Sequence, residues 1–181
     1  RKGELDSVGS IVKNQERSTY LNFTHPYFSV RYAIFGRTSE DAITGLDDLA
    51  GRRVAMERGY YLQGVLQERY PELHLHLVNT TLEALRAVAR EDADAYVGNI
   101  AVGAWQIENH HLANLKVVAF SGIDKAELRI GVRKEWPQLV TILNKAIAAI
   151  DFEQHQQIRR RWLAVRGTPE SGLAALNLTP A

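Results

Sequence analysis

Three kinds of side chain in this 181-residue sequence could hold a small molecule. The first is an amide. Residues 93–97 alternate small or apolar side chains with Asp94 and Tyr96, the period of a short strand. Gly98 and Asn99 break that pattern, and Ile100, Ala101, Ala104 and Ile107 resume it at helical spacing. Asn99 therefore stands where a strand runs out into the start of a helix, the place where open α/β sheets hold ligands and where free N–H groups favour anions. A neutral amide can donate or accept there, but it lacks the charge to compensate a buried cation. The other reading is a turn asparagine that tolerates the backbone geometry. The second is the guanidinium of Arg17, in the polar run 13–17. It offers two parallel donors to a carboxylate, worth about 1.5–3 kcal/mol when water is excluded; the competing reading is a solvated or hinge-pairing arginine. The third is the pair Tyr60 and Tyr61, which follow Gly59 at the head of a helical pattern. Their rings can stack on a planar ligand or simply cover a neighbouring hinge.

Other reactive types lead nowhere specific. His74 and His76 share one face of a strand, but no carboxylate cluster is near in sequence, so they read as solvent-facing edge residues rather than metal ligands. His110 and His111 sit at a helix end, where a protonated imidazole complements the dipole. His25 precedes Pro26 and could sense pH. No G-x-S-x-G, H-E-x-x-H or P-loop pattern occurs, and no Ser, His and Asp spacing suggests a triad. Cysteine is absent, which excludes disulfides, Cys-ligated zinc and thiol catalysis. The expectation is a non-enzymatic chain with no catalytic residues, no metal and no cofactor.

The 22 basic and 21 acidic side chains are evenly mixed, so no basic stripe suits a nucleic acid. No apolar run approaches the length that crosses a bilayer, and no signal peptide is present. Direct membrane insertion is not expected. Arg1-Lys2-Gly3-Glu4 reads as the end of a helix already under way, which suggests an excerpt from a longer protein.

Along the chain, residues 3–11 read as a buried strand bounded by glycines, and residues 30–35 as a second apolar strand. A regular alternation follows: strand 53–56, helix 60–70, strand 73–77, a capping box Thr80-x-x-Glu83 opening a helix, strand 93–97, the helix after Asn99, and strand 115–120. This βαβαβαβ order predicts a parallel sheet with helices on both faces. A strand at 128–132 precedes a long helix whose Leu139, Ile142, Leu143, Ala146, Ile147 and Ile150 should face inward, and a second helix runs to about Trp162. Trp105, Trp136 and Trp162 read as core or lobe-edge packing.

Taken in series, GELDSVGSI, ER..YLNFTHPYF, LDDLAGRRVAMERG, EALRAVAREDADAYVGN and ELRIGVRKEWPQLVTILNKAIAAI resemble, over residues 3–163, the bacterial family 3 extracellular solute-binding proteins. The chain is most similar to the periplasmic sensor domains of Bvg-type virulence sensor histidine kinases, to which Gly98-Asn99 and the tail 176–180 point. The resemblance implies an α/β fold, a type II two-lobe clamshell with lobe 1 incomplete in this chain. Residues 1–35 and 126–165 would form partial lobe 1 with the hinge strands, 36–125 lobe 2, and 166–181 a linker to a following domain.

Within that frame Arg17, seven residues before Thr24, stands where family members that bind amino acids place their carboxylate-binding arginine. Ser10 stands where the family supplies a hydroxyl or backbone contact, and Val12 replaces a small polar residue. Gly59 and Tyr60 stand at a Gly-Thr pair that binds the ligand carboxylate, with Tyr61 beside them, and Asn99 replaces an aspartate. The ligand-binding set implied is Ser10, Arg17, Gly59, Tyr60, Tyr61 and Asn99. The function implied is a solute-sensing domain of a two-component kinase closing on a small carboxylate-like or polar ligand. It would be periplasmic, as part of an inner-membrane protein, with a neighbouring clamshell domain in the same polypeptide and a homodimer left open. The alternatives are a free or lipid-anchored receptor of an ABC transporter, and a dehydratase or lytic transglycosylase accessory domain on the same fold. A dehydratase needs an acid and a base in the cleft, and the set contains neither.

Overall fold

The computed structural model describes residues 5–163, of which those up to Asp151 form one compact unit and the helix α6 (Phe152–Leu163) belongs to a second. The first unit holds two sheets. β1 (Ser7–Val12), β2 (Leu21–Phe23) and β3 (Phe28–Val30) all pair antiparallel with β9 (Ala126–Arg133). The larger sheet has the order β6-β5-β7-β4-β8, built from β4 (Tyr32–Arg37), β5 (Arg53–Glu57), β6 (His74–Val78), β7 (Ala95–Asn99) and β8 (Leu115–Phe120).

The four strands expected to run parallel, β5, β6, β7 and β8, do run the same way, but the sheet takes in a fifth strand, β4, which the expectation had assigned to the other lobe. That strand lies antiparallel between β7 and β8. The reason is its point of entry: the chain leaves β3, passes Arg31 and starts β4 with Tyr32 opposite Asn99, the carboxyl end of β7. A strand that enters at that end must run back along its neighbours. Tyr32 to Gly36 are buried, as the continuous apolar run of a central strand requires.

Both faces of this sheet carry core. On one side Tyr32, Ile34, Val54 and Met56 meet Leu62 and Leu66 of α2 (Tyr61–Arg69). On the other, Phe35, Ala55 and Tyr96 meet Leu85 and Val88 of α3 (Thr81–Ala89). Each fully buried side chain of this size contributes about 1.5–3 kcal/mol. Thr80 caps α3 by accepting from the Glu83 N–H at 3.2 Å, while the Glu83 carboxylate reaches back to the Asn79 N–H at 2.8 Å, one residue beyond the expected box. Glycine makes one helix contact close: the Phe35 ring occupies the space a Cβ on Gly103 of α4 (Ile100–Asn109) would need.

Two further expectations are corrected. β1 is not buried: Ser7 to Ser10 are exposed and only Ile11 and Val12 are half-buried, because β1 is the outer strand of its sheet and a bulge interrupts its pairing between Val8 and Ile11. In α5 (Pro137–Ala148) the stripe Leu139, Leu143 and Ile147 is half-buried beside β9 and β2, whereas Ile142, Ala146 and Ile150 are exposed. The half-buried residues follow the single line along which the helix meets the small sheet, and the other three lie off it. The polar run after β1 also holds an unexpected helical turn, α1 (Gln15–Ser18), capped by Asn14. The side chain of Trp162 and the tail 166–181 lie outside the described residues.

Candidate ligand-binding site

Two chain segments cross between the sheets, at Arg31 and over residues 121–125. Beside the second crossing lies a hollow of about 310 Å³, lined by Val12 and Lys13 from the end of β1, Tyr61 from the start of α2, and Lys125, Ala126, Glu127 and Arg129 from the head of β9. Its walls therefore come from the small sheet, from the second crossing and from α2, the helix that packs on the large sheet. Its charge is uneven. Glu127 is held by Arg129 at 2.6 Å, and Arg129 also donates to the Thr24 carbonyl at 2.9 Å. Lys13 and Lys125 add two exposed ammonium groups with no carboxylate in salt-bridge range among the described residues. A second hollow of about 300 Å³ flanks the crossings and shares Lys125, with Arg31, Tyr32 and Phe120 among its walls.

The expected site residues divide around this gap. Tyr61 lines it. Arg17 is half-buried next to it and donates from Nη1 to the carbonyl of Val12, a lining residue, at 2.8 Å. Tyr60 precedes Tyr61 as the N-cap of α2 and turns its ring edge-on to Tyr32, with centroids 6.5 Å apart. Burial, and then the charges of Tyr60 and Tyr61, push the Tyr32 hydroxyl far above the usual phenol range. Burial, and then the Glu57 carboxylate, raise Tyr60.

The other three have partners of their own. Ser10 sits at the bulge with φ +54°, its N–H donating to the Tyr27 hydroxyl at 3.0 Å and its own hydroxyl 2.7 Å from the same oxygen. Gly59 takes φ +72° and donates its N–H to Gln63 Oε1 at 2.8 Å, which shapes the turn into α2. Asn99 ends β7 and caps α4: its Oδ1 accepts from the N–H groups of Ala101 at 2.9 Å and Val102 at 3.3 Å. The amide oxygen is thus committed to the helix, and only the amide nitrogen remains for other work. His74 and His76 are exposed on the edge strand β6, and His25 is exposed, with its N–H on Asn144 Oδ1 at 2.8 Å.

Sequence reasoning passed over Lys13, Lys125 and the Arg129–Glu127 pair. Two of these lie in the crossing and the strand after it, where the pattern gives a strand boundary and no chemistry; only folding brings them to Val12 and Tyr61.

The Virulence sensor protein BvgS of Bordetella pertussis is 29% identical over 177 residues, 98% of this chain but 14% of that protein. The chain thus spans a small part of this curated relative. The ABC transporter arginine-binding protein 1 of Escherichia coli is 28% identical over 154 residues, covering 81% of this chain and 61% of the other. Among solved structures, the BvgS periplasmic VFT2 domain of Bordetella pertussis superposes with a TM-score of 0.79 at 30% identity, over 90% of this chain and 69% of that one. The architecture is accordingly that of a two-lobe periplasmic-binding clamshell of type II, with the first lobe represented in part by these residues. The model of the bacterial extracellular solute-binding proteins, family 3, matches residues 1–165, and the chain belongs to that family.

Proposed function

We propose that this domain is the periplasmic solute sensor of a two-component histidine kinase, and that it closes on a small carboxylate-like anion. The family binds solutes, so the domain is a binding module rather than an enzyme. Its likeness to sensor-kinase periplasmic domains supports the sensing role. The observation that carries the ligand class is the gap beside residues 121–125, where Lys13 and Lys125 stand without a carboxylate and Arg17 is anchored one residue away from the wall. An anion entering there gains charge-assisted hydrogen bonds from Lys13 and Arg17 on the small-sheet side and from Lys125 in the crossing, beside Tyr61 of the helix that packs on the large sheet. The sheets act as lobes, with β1, β2, β3 and β9 on one side and the five-stranded sheet on the other, hinged at the two crossings, so that the boundary falls at Arg31 and not after residue 35. Closure is favoured only as far as the ligand binds the closed form better than the open one. In an inner-membrane kinase that balance would be passed to a downstream catalytic domain, by way of a neighbouring clamshell in the same polypeptide.

Calorimetric titration of small mono- and dicarboxylates tests the reading. Arg17→Ala and Lys125→Gln should each lower affinity about tenfold or more. Unchanged affinity in both would remove the carboxylate from this gap. The transport-receptor reading is favoured by the arginine-binding relative. The flanking reading frame separates the two: a membrane helix and a kinase downstream mean a sensor, and their absence means a receptor.

A further inference from the structure

The second hollow, of about 300 Å³, shares Lys125 with the ligand gap and is otherwise lined by Arg31, Tyr32, Phe120, Gly122 and Ile123. Each of these lies in a crossing or is the strand residue next to one. Its floor is fixed. The Tyr32 carbonyl accepts from the Ser121 N–H at 3.2 Å and from Ser121 Oγ at 3.1 Å, and that Oγ accepts from the Ile123 N–H at 3.3 Å. Ser121 is buried, so these bonds latch the start of the longer crossing to the first residue of β4. Gly122 then turns with φ +67°, which glycine adopts without strain, and apart from its chain neighbours no atom stands within 4 Å of where a Cβ would lie. The walls differ in kind. Phe120 is 49% exposed although it belongs to β8, because its partner across the ladder is Ala33, whose methyl gives the ring little to pack on. Ile123 and Tyr32 continue that apolar wall, while Arg31 and Lys125 are the charged lining residues, both cationic. Small-molecule sites, from about 300 Å³ upward, have this make-up: apolar walls with a few polar groups that orient the ligand.

We infer that this hollow is a second binding site, at the hinge, for a small amphiphilic anion, an acidic head on an apolar body about one ring in size. The body lies against Phe120 and Ile123, and the head meets Arg31 and Lys125. The site is separate from the carboxylate reading above, which concerns the other hollow, and stands without it. An occupant touches both crossings. It therefore binds one setting of the hinge better than the others, and biases closure by that difference.

Benzenesulfonate and methanesulfonate carry the same ionised head and differ in the apolar body. Ligand-observed NMR titrations of both into this chain and into its Phe120→Ala and Tyr61→Ala variants test the site. Benzenesulfonate should bind the unaltered chain about tenfold or more tighter than methanesulfonate. In Phe120→Ala that advantage should fall to about threefold or less, because the exposed wall is gone. In Tyr61→Ala, which alters the other hollow, it should persist. If benzenesulfonate does not bind, gains nothing over methanesulfonate, or keeps its gain in Phe120→Ala, the hinge site is wrong. A gain lost in Tyr61→Ala and kept in Phe120→Ala puts the anion in the ligand gap and overturns the inference too. The carboxylate reading is judged by its own titrations in every case. Should circular dichroism show Phe120→Ala unfolded, Phe120→Thr, which removes the ring and suits the edge strand β8, carries the same expectation.

Discussion

The Tyr96 hydroxyl lies over Gly98, in the space a Cβ at that residue would fill. The two residues sit on the same face of β7, and the missing side chain lets the phenol fold along its own strand to reach Glu57 at 3.1 Å. Its ring stacks on Phe35 with centroids 5.4 Å apart, and Phe35 in turn fills the room above Gly103. Two glycines and two rings thus fix how the turn at Asn99 and the start of α4 rest against the sheet.

Gly98→Ala should therefore cost about 1–3 kcal/mol or more, since the methyl meets a ring that is itself wedged. Urea denaturation measures the loss. Combined with Tyr96→Ala, which empties the same space, the two effects should be clearly non-additive; simple additivity would mean that the ring moves aside freely.

Asn99 tests capping separately from binding. Asn99→Ala should cost about 1 kcal/mol through the two N–H groups left at the head of α4. Asn99→Asp keeps the acceptor and suits the helix dipole, so its melting temperature should match the parent's or exceed it.

Alkaline pH should act through the tyrosines. Burial, and then the nearby Glu57 charge, raise Tyr96, and burial raises Tyr32, both far beyond the phenol value of about 10 seen in the unfolded chain. Between those limits the unfolded state gives up protons that the folded state retains, so stability is complete below pH about 10 and declines above it. Tyrosinate absorbance should report these two residues only as the fold is lost; an early, reversible rise in Tyr32→Phe-sensitive signal would contradict this.

At the acid end the group to watch is Asp94. Burial draws it upward, but hydrogen bonds from Arg53, including the 2.8 Å backbone N–H, keep it below the usual carboxylate value. Its contribution is present above pH about 4 and disappears as pH falls through the lower folded value. Asp94→Asn should flatten that part of the stability profile measured by thermal melts.

Much of this was readable in advance. Period and caps located β5 through β8 and the helices between them to within a residue or two, because short apolar runs are separated there by helical spacing and the later helices carry Thr80 and Asn99 at their heads. The orientation of β4 was not readable. An apolar run such as YAIF is the same in either direction, and only the crossing at Arg31 decides it. The exposure of β1 and of Ile142 escaped for a related reason: apolar spacing tells which side of an element seeks cover, and not whether these residues provide it. Within the site, Arg17 and Tyr61 could be found from sequence. Lys125 could not, since it lies far in sequence from Val12 and Tyr61, the residues it joins in the hollow.

The two crossings differ in length, and that has a mechanical result. Between β3 and β4 the sole intervening residue is Arg31, whereas residues 121–125 separate β8 from β9. A one-residue joint is a pivot, and the longer strap is slack that pays out around it. Any swing of one sheet on the other must then be concentrated in the torsions next to Tyr32, the first rung of the ladder opposite Asn99.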